Sequence, residues 1–290
     1  MRYYTYAEYM KNKYGEKVYK IPINIPVTCP NRDGNIAEGG CIFCGEKGAG
    51  FENLSNELSV REQLEQNISY IQNKYKANKF VAYFQNFTNT YLPLDQLLSY
   101  TEEACIEDVK EISFSTRPDS ISDEYISMLQ GIAGKYNKEI NIELGLQTVN
   151  YHTLKKINRG HTLAEFIDAV MRIKKAGFSI CVHVILNLPW DDEEDVIENA
   201  KILSALSIDQ VKLHALYIEK NTPLCRLYEK GEIEIISLEA YVNRVILFLE
   251  YLKSDIVLQR IIGRAPKEDT VFCNWNTSWW KIKDKIEEKM

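Results

Sequence analysis

Residues 140–190, INIELGLQTVNYHTLKKINRGHTLAEFIDAVMRIKKAGFSICVHVILNLPW, decide the fold. The first seven, INIELGL, read as a strand, and ICVHVIL (residues 180–186) is a second strand, almost unbroken in apolar residues. Between them Leu163, Phe166, Ile167, Val170 and Ile173 recur at helical spacing, and Gly177 ends the helix. Two strands joined through a helix lie parallel, with a right-handed crossover. A strand apolar on both faces belongs to a sheet covered on both sides.

The same unit repeats outward from this stretch. IPINIPV (residues 21–27) is the first strand, followed by a helix over 59–75 with Val60, Leu64, Ile68 and Ile71 on one face. FVAYF (80–84) is the second strand, and its helix carries Pro93 in the first turn. EISFS (111–115) is the third strand, with a helix over 123–136. After the strands at 140–146 and 180–186, Asp191 and Asp192 start another helix, and QVKLHALYI (210–218) is the sixth strand. Six alternating units predict an α/β fold, an open partial (β/α)6 TIM-like barrel over residues 1–220. Residues 221–290 hold a helix (238–252), a strand-like IVLQRII (256–262) and a Trp-rich terminal helix. They are expected to form a C-terminal extension that closes one side or the floor of the barrel within a single structural unit.

The chain has 290 residues, 45% of them hydrophobic and 26% charged, with a net charge of −6, the balance of an ordinary globular protein. The acidic balance argues against a protein that coats nucleic acid and leaves room for a local basic groove. No apolar run approaches a membrane span; the best, residues 180–188, is short and interrupted by His183. The opening MRYYTYAEYMKNKYGEK has no apolar segment of the kind a secretory leader needs. Seven cysteines, an odd count, point to a reducing, cytoplasmic setting with thiols kept for chemistry.

Three of those thiols stand together. Cys29, Cys41 and Cys44 lie in CPNRDGNIAEGGCIFC, the loop after the first strand, at the strand end where barrel enzymes keep their chemistry. Gly34, Gly39 and Gly40 let the loop fold tightly. Thiolates suit zinc or an iron–sulfur cluster. A structural zinc takes four protein ligands, and no fourth Cys or His is near in sequence. A three-thiolate 4Fe–4S cluster leaves one iron open for another ligand. A zinc loop completed from afar, or coincidence, stays as the alternative.

With this loop, TCPNRDG and CIFC, YFQNFTNTY, STRPD, ELGLQTVNYHTLKKINRGH and VKLHALYI resemble the radical S-adenosylmethionine superfamily. More narrowly they are similar to the bacterial branch akin to the Elongator catalytic subunit but without its acetyltransferase domain. The usual superfamily spacing is C-x3-C-x2-C, so the long first gap here narrows the match to that branch. The resemblance implies a 4Fe–4S cluster held by Cys29, Cys41 and Cys44, with S-adenosylmethionine chelating the fourth iron and Phe43 packed beside its adenine. It places backbone carbonyls near Gln85, with the Asn86 side chain, where relatives carry Gly-Gly for the cofactor amine; the glycines are absent here. Gln147 and Arg159 match the pair that meets the ribose and the methionyl carboxylate, a task suited to a guanidinium fork. Ser115 stands where relatives can place an acid on the ribose. Arg117 faces cofactor or substrate, or simply pairs with Asp119.

His183 and His214 lie in mid-strand; facing inward they sit beneath the cofactor and order substrate or relay protons, and facing elsewhere they are satisfied core histidines. Tyr217 is the substrate-side candidate. Trp190 either stacks on a flat substrate or covers the rim. Thr88 and Asn89 read equally well as caps of a turn. Cys105, Cys181, Cys225 and Cys273 read as small buried hydrophobes. Trp275, Trp279 and Trp280, with Arg260, Arg264 and Lys267, mark a candidate RNA-contact surface, and Lys220 joins Arg117, Trp190, Arg260 and Arg264 at the expected rim. The implied reaction remodels the 5-substituent of a tRNA wobble uridine, for example carboxymethylaminomethyl to aminomethyl. An electron donor such as flavodoxin or ferredoxin and a tRNA are the implied partners, with no membrane. A radical reaction on a small molecule or protein, and a noncatalytic cluster- or zinc-binding regulator, remain open beside it.

Anaerobic reconstitution should load about four irons per chain. Ala at Cys29, Cys41 or Cys44 should abolish the visible absorption and Cys105→Ala should leave it; stoichiometric tetrahedral zinc that resists iron and sulfide would refute the cluster.

Overall fold

The computed structural model describes residues 3–45, 48, 53–263 and 268–290. A two-residue strand β1 (Tyr4–Thr5) runs into α1 (Tyr6–Tyr14), which a Thr5/Glu8 capping box starts and Gly15, at φ 79°, stops. Then come β2 (Val18–Ile23), α2 (Val60–Tyr75), β3 (Lys79–Phe84), α3 (Leu94–Glu103), β4 (Val109–Thr116) and α4 (Asp123–Tyr136). They are followed by β5 (Glu139–Gln147), a short α5 (Tyr151–Lys156), α6 (Leu163–Lys175), β6 (Ser179–Ile185), α7 (Glu193–Ala205) and β7 (Gln210–His214). The extension contributes β8 (Ile218–Glu219), α8 (Pro223–Glu229), α9 (Leu238–Tyr251), β9 (Val257–Arg260), β10 (Thr270–Phe272) and α10 (Trp279–Lys289). Ser59/Glu62, Thr162/Glu165 and Asp192/Asp195 boxes start α2, α6 and α7, each fixing where a crossover helix begins.

Eight parallel strands form one sheet in the order β1-β9-β7-β6-β5-β4-β3-β2. The expected α/β open barrel is present, with its six strands joined by β9 and β1. The extension therefore adds a strand to the sheet beside β7. The sheet curls, because side chains from strands far apart in that order meet inside it. Lys20 of β2 contacts both Glu143 of β5 and, at 3.2 Å, Gln259 of β9. The floor is plugged by α1: Lys13 lies 3.7 Å from Glu111 of β4 and pairs with Glu139 of β5.

Alternation along the strands separates two environments. Outward residues such as Phe84 and Phe114, with ring centroids 4.8 Å apart, Ile142, Val182 and Leu213 pack under the helices as the main core. Inward residues are polar or charged: Tyr83, Ser113, Asn141, Glu143, His183 and Lys212. This corrects two strand boundaries. The first strand begins at Val18, earlier than expected, because Lys20 faces the lumen and looks out of place in a strand. It carries Pro22 without penalty as the last strand of the sheet. The sixth stops at His214, and Ile218–Glu219 leave the barrel to pair antiparallel with β10. Pro93 is the N-cap of α3 rather than a residue of its first turn.

Glu143 carries no solvent exposure and meets Lys20, Lys212 and His183. Breaking such a buried network from one side is strongly destabilising, so Glu143→Gln should lower the unfolding free energy by about 3–5 kcal/mol in urea titration. A loss below about 1 kcal/mol would show that the two lysines find other partners.

Candidate active site

The thiol loop is held in place by backbone and amide contacts. Within it, Arg32 N donates to Cys29 O at 2.8 Å, Gly40 N to Asn31 O at 2.8 Å and Cys44 N to Cys41 O at 2.9 Å. Asn31 Nδ2 donates to Asn158 O at 2.6 Å, and Asn158 Nδ2 returns a bond to Gly40 O at 2.9 Å, which ties the loop to the segment after α5. Ile42 is bonded on both sides, its N–H to Ile157 O and its carbonyl from Leu224 N at the start of α8. Both α5 and α8 escaped the sequence reading, and both support this loop.

Nitrogen donors point at the sulfurs. Asn31 Nδ2 is 3.6 Å and Arg159 Nη1 3.5 Å from Cys41 Sγ, and Arg32 Nη1 is 3.4 Å from Cys44 Sγ. Such donors favour thiolates. Burial and the neighbouring Cys41 push the Cys44 thiol up to about 11, against the pull of Arg32; coordination to a metal overrides that burial cost. The three sulfurs are not gathered within 4.8 Å of one another, the closeness found for Glu143, Cys181 and His183. Four sulfurs around one zinc sit about 3.8 Å apart, given a Zn–S bond near 2.3 Å. Three more widely spread thiols with N–H donors fit a cluster that gives each sulfur its own iron.

Arg159 is fixed by the bare backbone of β5. Its Nη2 and Nε donate to Gly145 O at 2.7 and 3.2 Å, and His161 Nε2 donates to the same carbonyl at 3.0 Å. Burial beside Arg159 and Arg117 lowers His161 to about 3, so it stays neutral. A Cβ on Gly145 would sit 2.7 Å from Arg159 Nη2 and 3.0 Å from Gln147 Nε2, so only glycine allows this approach. Gln147 ends β5 at φ 76°, in the left-handed region, where a ladder irregularity between Gly145 and Gln147 turns the strand.

Cys29, Cys41, Cys44, Phe43, Gln85, Ser115, Arg117, Gln147, Arg159, His183, His214 and Tyr217 all line one chamber at the C-terminal ends of the strands. Asn86 does not line it; its Nδ2 donates to Asn24 Oδ1 at 3.3 Å. Arg117 is clamped by Asp119, with Nε and Nη2 at 2.8 and 2.6 Å from the two carboxylate oxygens. His183 and His214 face inward and stack, centroids 5.0 Å apart. Burial lowers His183 to about 4 although Glu143 accepts from it at 2.7 Å, and burial beside Arg260 holds His214 well below its usual value. Burial pushes the Tyr217 phenol upward. All three are neutral near pH 7.

The chamber also contains Arg32, Tyr83, Phe87, Thr88, Lys212 and Arg260. Arg260 is a correction, since it sits inside the chamber rather than on an outer RNA rim. Asn89, by contrast, braces the turn, its Nδ2 donating to Phe84, Asn86 and Ser115 carbonyls at 2.9–3.0 Å. Trp190 is half-buried on a second apolar cluster with Ile42 and Phe43. Trp275 and Trp279 pack on the main core, and Trp280 is exposed. Lys220 is exposed and donates to Glu268 O at 2.9 Å. Arg264 and Lys267 lie outside the described residues. Glu143, Lys20 and Lys212 were missed; the available signal was a charged residue within each of three otherwise largely apolar strands.

Residues 23–203 match the family model described as Radical SAM superfamily, and residues 208–290 match the Radical_SAM C-terminal domain. The Bacillus subtilis (strain 168) protein YtqA is 33% identical over 290 residues, spanning 100% of this chain and 89% of that protein. A shorter stretch, 42% of this chain and 22% of its relative, is 26% identical to a Methanocaldococcus jannaschii protein named tRNA uridine(34) acetyltransferase. Among solved structures, archaeal Elp3 from Methanocaldococcus infernus aligns with a TM-score of 0.67 at 18% identity. The alignment covers 94% of this chain and 63% of that one, a likeness of fold.

Arg159→Ala should keep the visible chromophore and weaken S-adenosylmethionine binding by one to two decades, as loss of roughly 1.5–3 kcal/mol from a charge-assisted bond implies. Gly145→Ala should shift binding the same way by displacing the guanidinium. Unchanged equilibrium binding in both variants would remove Arg159 from the cofactor site.

Proposed function

This chain belongs to the radical S-adenosylmethionine superfamily and is an enzyme of that chemistry, and from that premise we propose that it remodels the 5-substituent of tRNA wobble uridine. The step we propose takes 5-carboxymethylaminomethyl-uridine to the aminomethyl form. The carboxymethyl carbon bonded to nitrogen would lose a hydrogen atom to the deoxyadenosyl radical and one electron to the iron–sulfur cluster, and water would split the resulting imine into the aminomethyl nucleoside and glyoxylate. Enzymes of this family use a 4Fe–4S cluster and S-adenosylmethionine, cleaved to methionine and a 5′-deoxyadenosyl radical that abstracts hydrogen from the substrate. Here Cys29, Cys41 and Cys44 would hold the cluster. Arg159 and Gln147 would orient the cofactor, with Phe43 beside its base. The chamber walls exclude water, and neutral His183, His214 and Tyr217 form the face turned to substrate.

The observation that carries the reading is the lining of the chamber. From the three sulfurs to Tyr217 it presents Arg32, Arg117, Arg159, Arg260 and Lys212, and no Asp or Glu among the described residues. A protein of net charge −6 with a cationic catalytic mouth is built to admit an anionic substrate against its own overall charge. The partial match to a protein named tRNA uridine(34) acetyltransferase supports a nucleotide substrate. The enzyme needs a reductant, for which we propose flavodoxin or ferredoxin. Its seven cysteines, an odd count, suit the cytoplasm. No described helix is long and apolar enough to cross a membrane.

Nucleoside profiles of tRNA from deletion and parent strains test the reading. Deletion should accumulate 5-carboxymethylaminomethyl-uridine and deplete the aminomethyl form and its descendants. An unchanged profile in a strain with no second route to that nucleoside would overturn it.

A further inference from the structure

Arg260 ends β9 and lines the chamber. Its Nη2 donates to His214 Nδ1 at 2.8 Å, and its Nε is buried with no hydrogen-bond partner. No carboxylate pairs with it among the described residues. The other cations of the chamber are all engaged. Arg117 is clamped by Asp119, Lys212 Nζ lies 3.1 Å from Glu143, and Arg159 and Arg32 lie against Gly145 and Gly45 carbonyls and the sulfurs of Cys41 and Cys44. Below Arg260, one carboxylate, Glu143, already serves both Lys20 and Lys212. The groups facing Arg260 are thus neutral His214, the phenols Tyr83 and Tyr217, and a Glu143 that is already shared. A guanidinium kept in a low-dielectric cavity without a counter-ion is costly unless a ligand supplies the charge.

We infer that Arg260 anchors an anionic group of the substrate, a carboxylate received by the guanidinium whose Nε has no partner. Arginine geometry suits this because two parallel N–H groups match two carboxylate oxygens. The inference deepens the wobble-uridine reading and rests on it for the choice of carboxylate: the carboxymethyl group to be removed would be gripped at its charged end. The anchor accounts for recognition of the modified over the unmodified nucleoside.

Binding of two tRNAs to cluster-loaded protein with S-adenosylmethionine tests it, one carrying 5-carboxymethylaminomethyl-uridine and the other the aminomethyl nucleoside. The wild type should favour the first by about tenfold or more, the worth of one charge-assisted contact. Arg260→Gln should bind both alike, and Arg260→Lys should keep part of the preference; the brown chromophore in each variant reports an intact barrel. A preference retained in Arg260→Gln overturns the anchor, and so does a wild type that binds both tRNAs alike. Equal weakening of both tRNAs in Arg260→Gln, with the preference intact, assigns the guanidinium to a backbone phosphate and overturns the carboxylate. A wild type that binds neither tRNA overturns the wobble-uridine reading instead, and acetate then decides the anchor. Sodium acetate at constant ionic strength should raise the thermal midpoint of the wild type and not of Arg260→Gln, and equal midpoints would sink the anchor.

Discussion

A single buried carboxylate sets the terms for the interior of this barrel. Burial alone would raise the Glu143 carboxyl, yet Lys20, Lys212 and His183 together pull it well below its usual range, so it stays ionised. Its partners come from β2, β7 and β6, and Gln259 of β9 reaches it at 3.4 Å, so one side chain draws in strands from across the whole sheet. An apolar lumen could pack as tightly, but it would leave no reason for the strands to meet at this register. Above that layer the barrel must present donors and cations, because the carboxylate below is already shared. The polarity of the catalytic chamber follows from that layer.

The two stacked histidines extend the same logic upward. Their neutrality comes from burial among Lys212 and Arg260, which oppose protonation. Neutral imidazoles beneath a cofactor can donate and accept hydrogen bonds without offering a strong acid to a reactive intermediate. Tyr217, held protonated by burial, completes a wall whose groups keep their protons through the physiological range.

The outer half of the fold was plain in the sequence, because helices and the outward strand faces obey apolar periodicity and capping rules. The strand–helix order, the α4 boundaries and the caps of α6 and α7 follow from those rules directly. The thiol loop was legible from spacing, and Gln147 and Arg159 from their match to a known pattern. The lumen was not, since Lys20, Glu111 and Glu143 break apolar runs and read as surface residues until the sheet is curled around them. Arg260 was read as part of a rim and RNA-contact surface, whereas it lines the chamber. Glu111 shows the cost of such placement: burial raises its carboxyl to about 7 even with Lys13 and Lys20 nearby. The N-terminal plug was invisible because α1 buries a single apolar residue, Met10, among the polar side chains of Tyr6, Lys13 and Tyr14.

The sheet's two free edges are tied by one short run of chain. β1 pairs with β9, placing Tyr4 opposite Val257 and Thr5 opposite Leu258, while β2, only a helix later, forms the opposite edge. Two strands about 250 residues apart in sequence are therefore neighbours in the finished sheet. A nascent chain can build β2 through β7 stepwise, each strand adding to the one before, but the seam must wait until β9 has emerged. Until then the chamber stands open along one side, without Gln259 or Arg260. Completion of the catalytic mouth thus waits on β9, whereas the contacts that hold the thiol loop come from segments earlier in the chain, the last of them the start of α8.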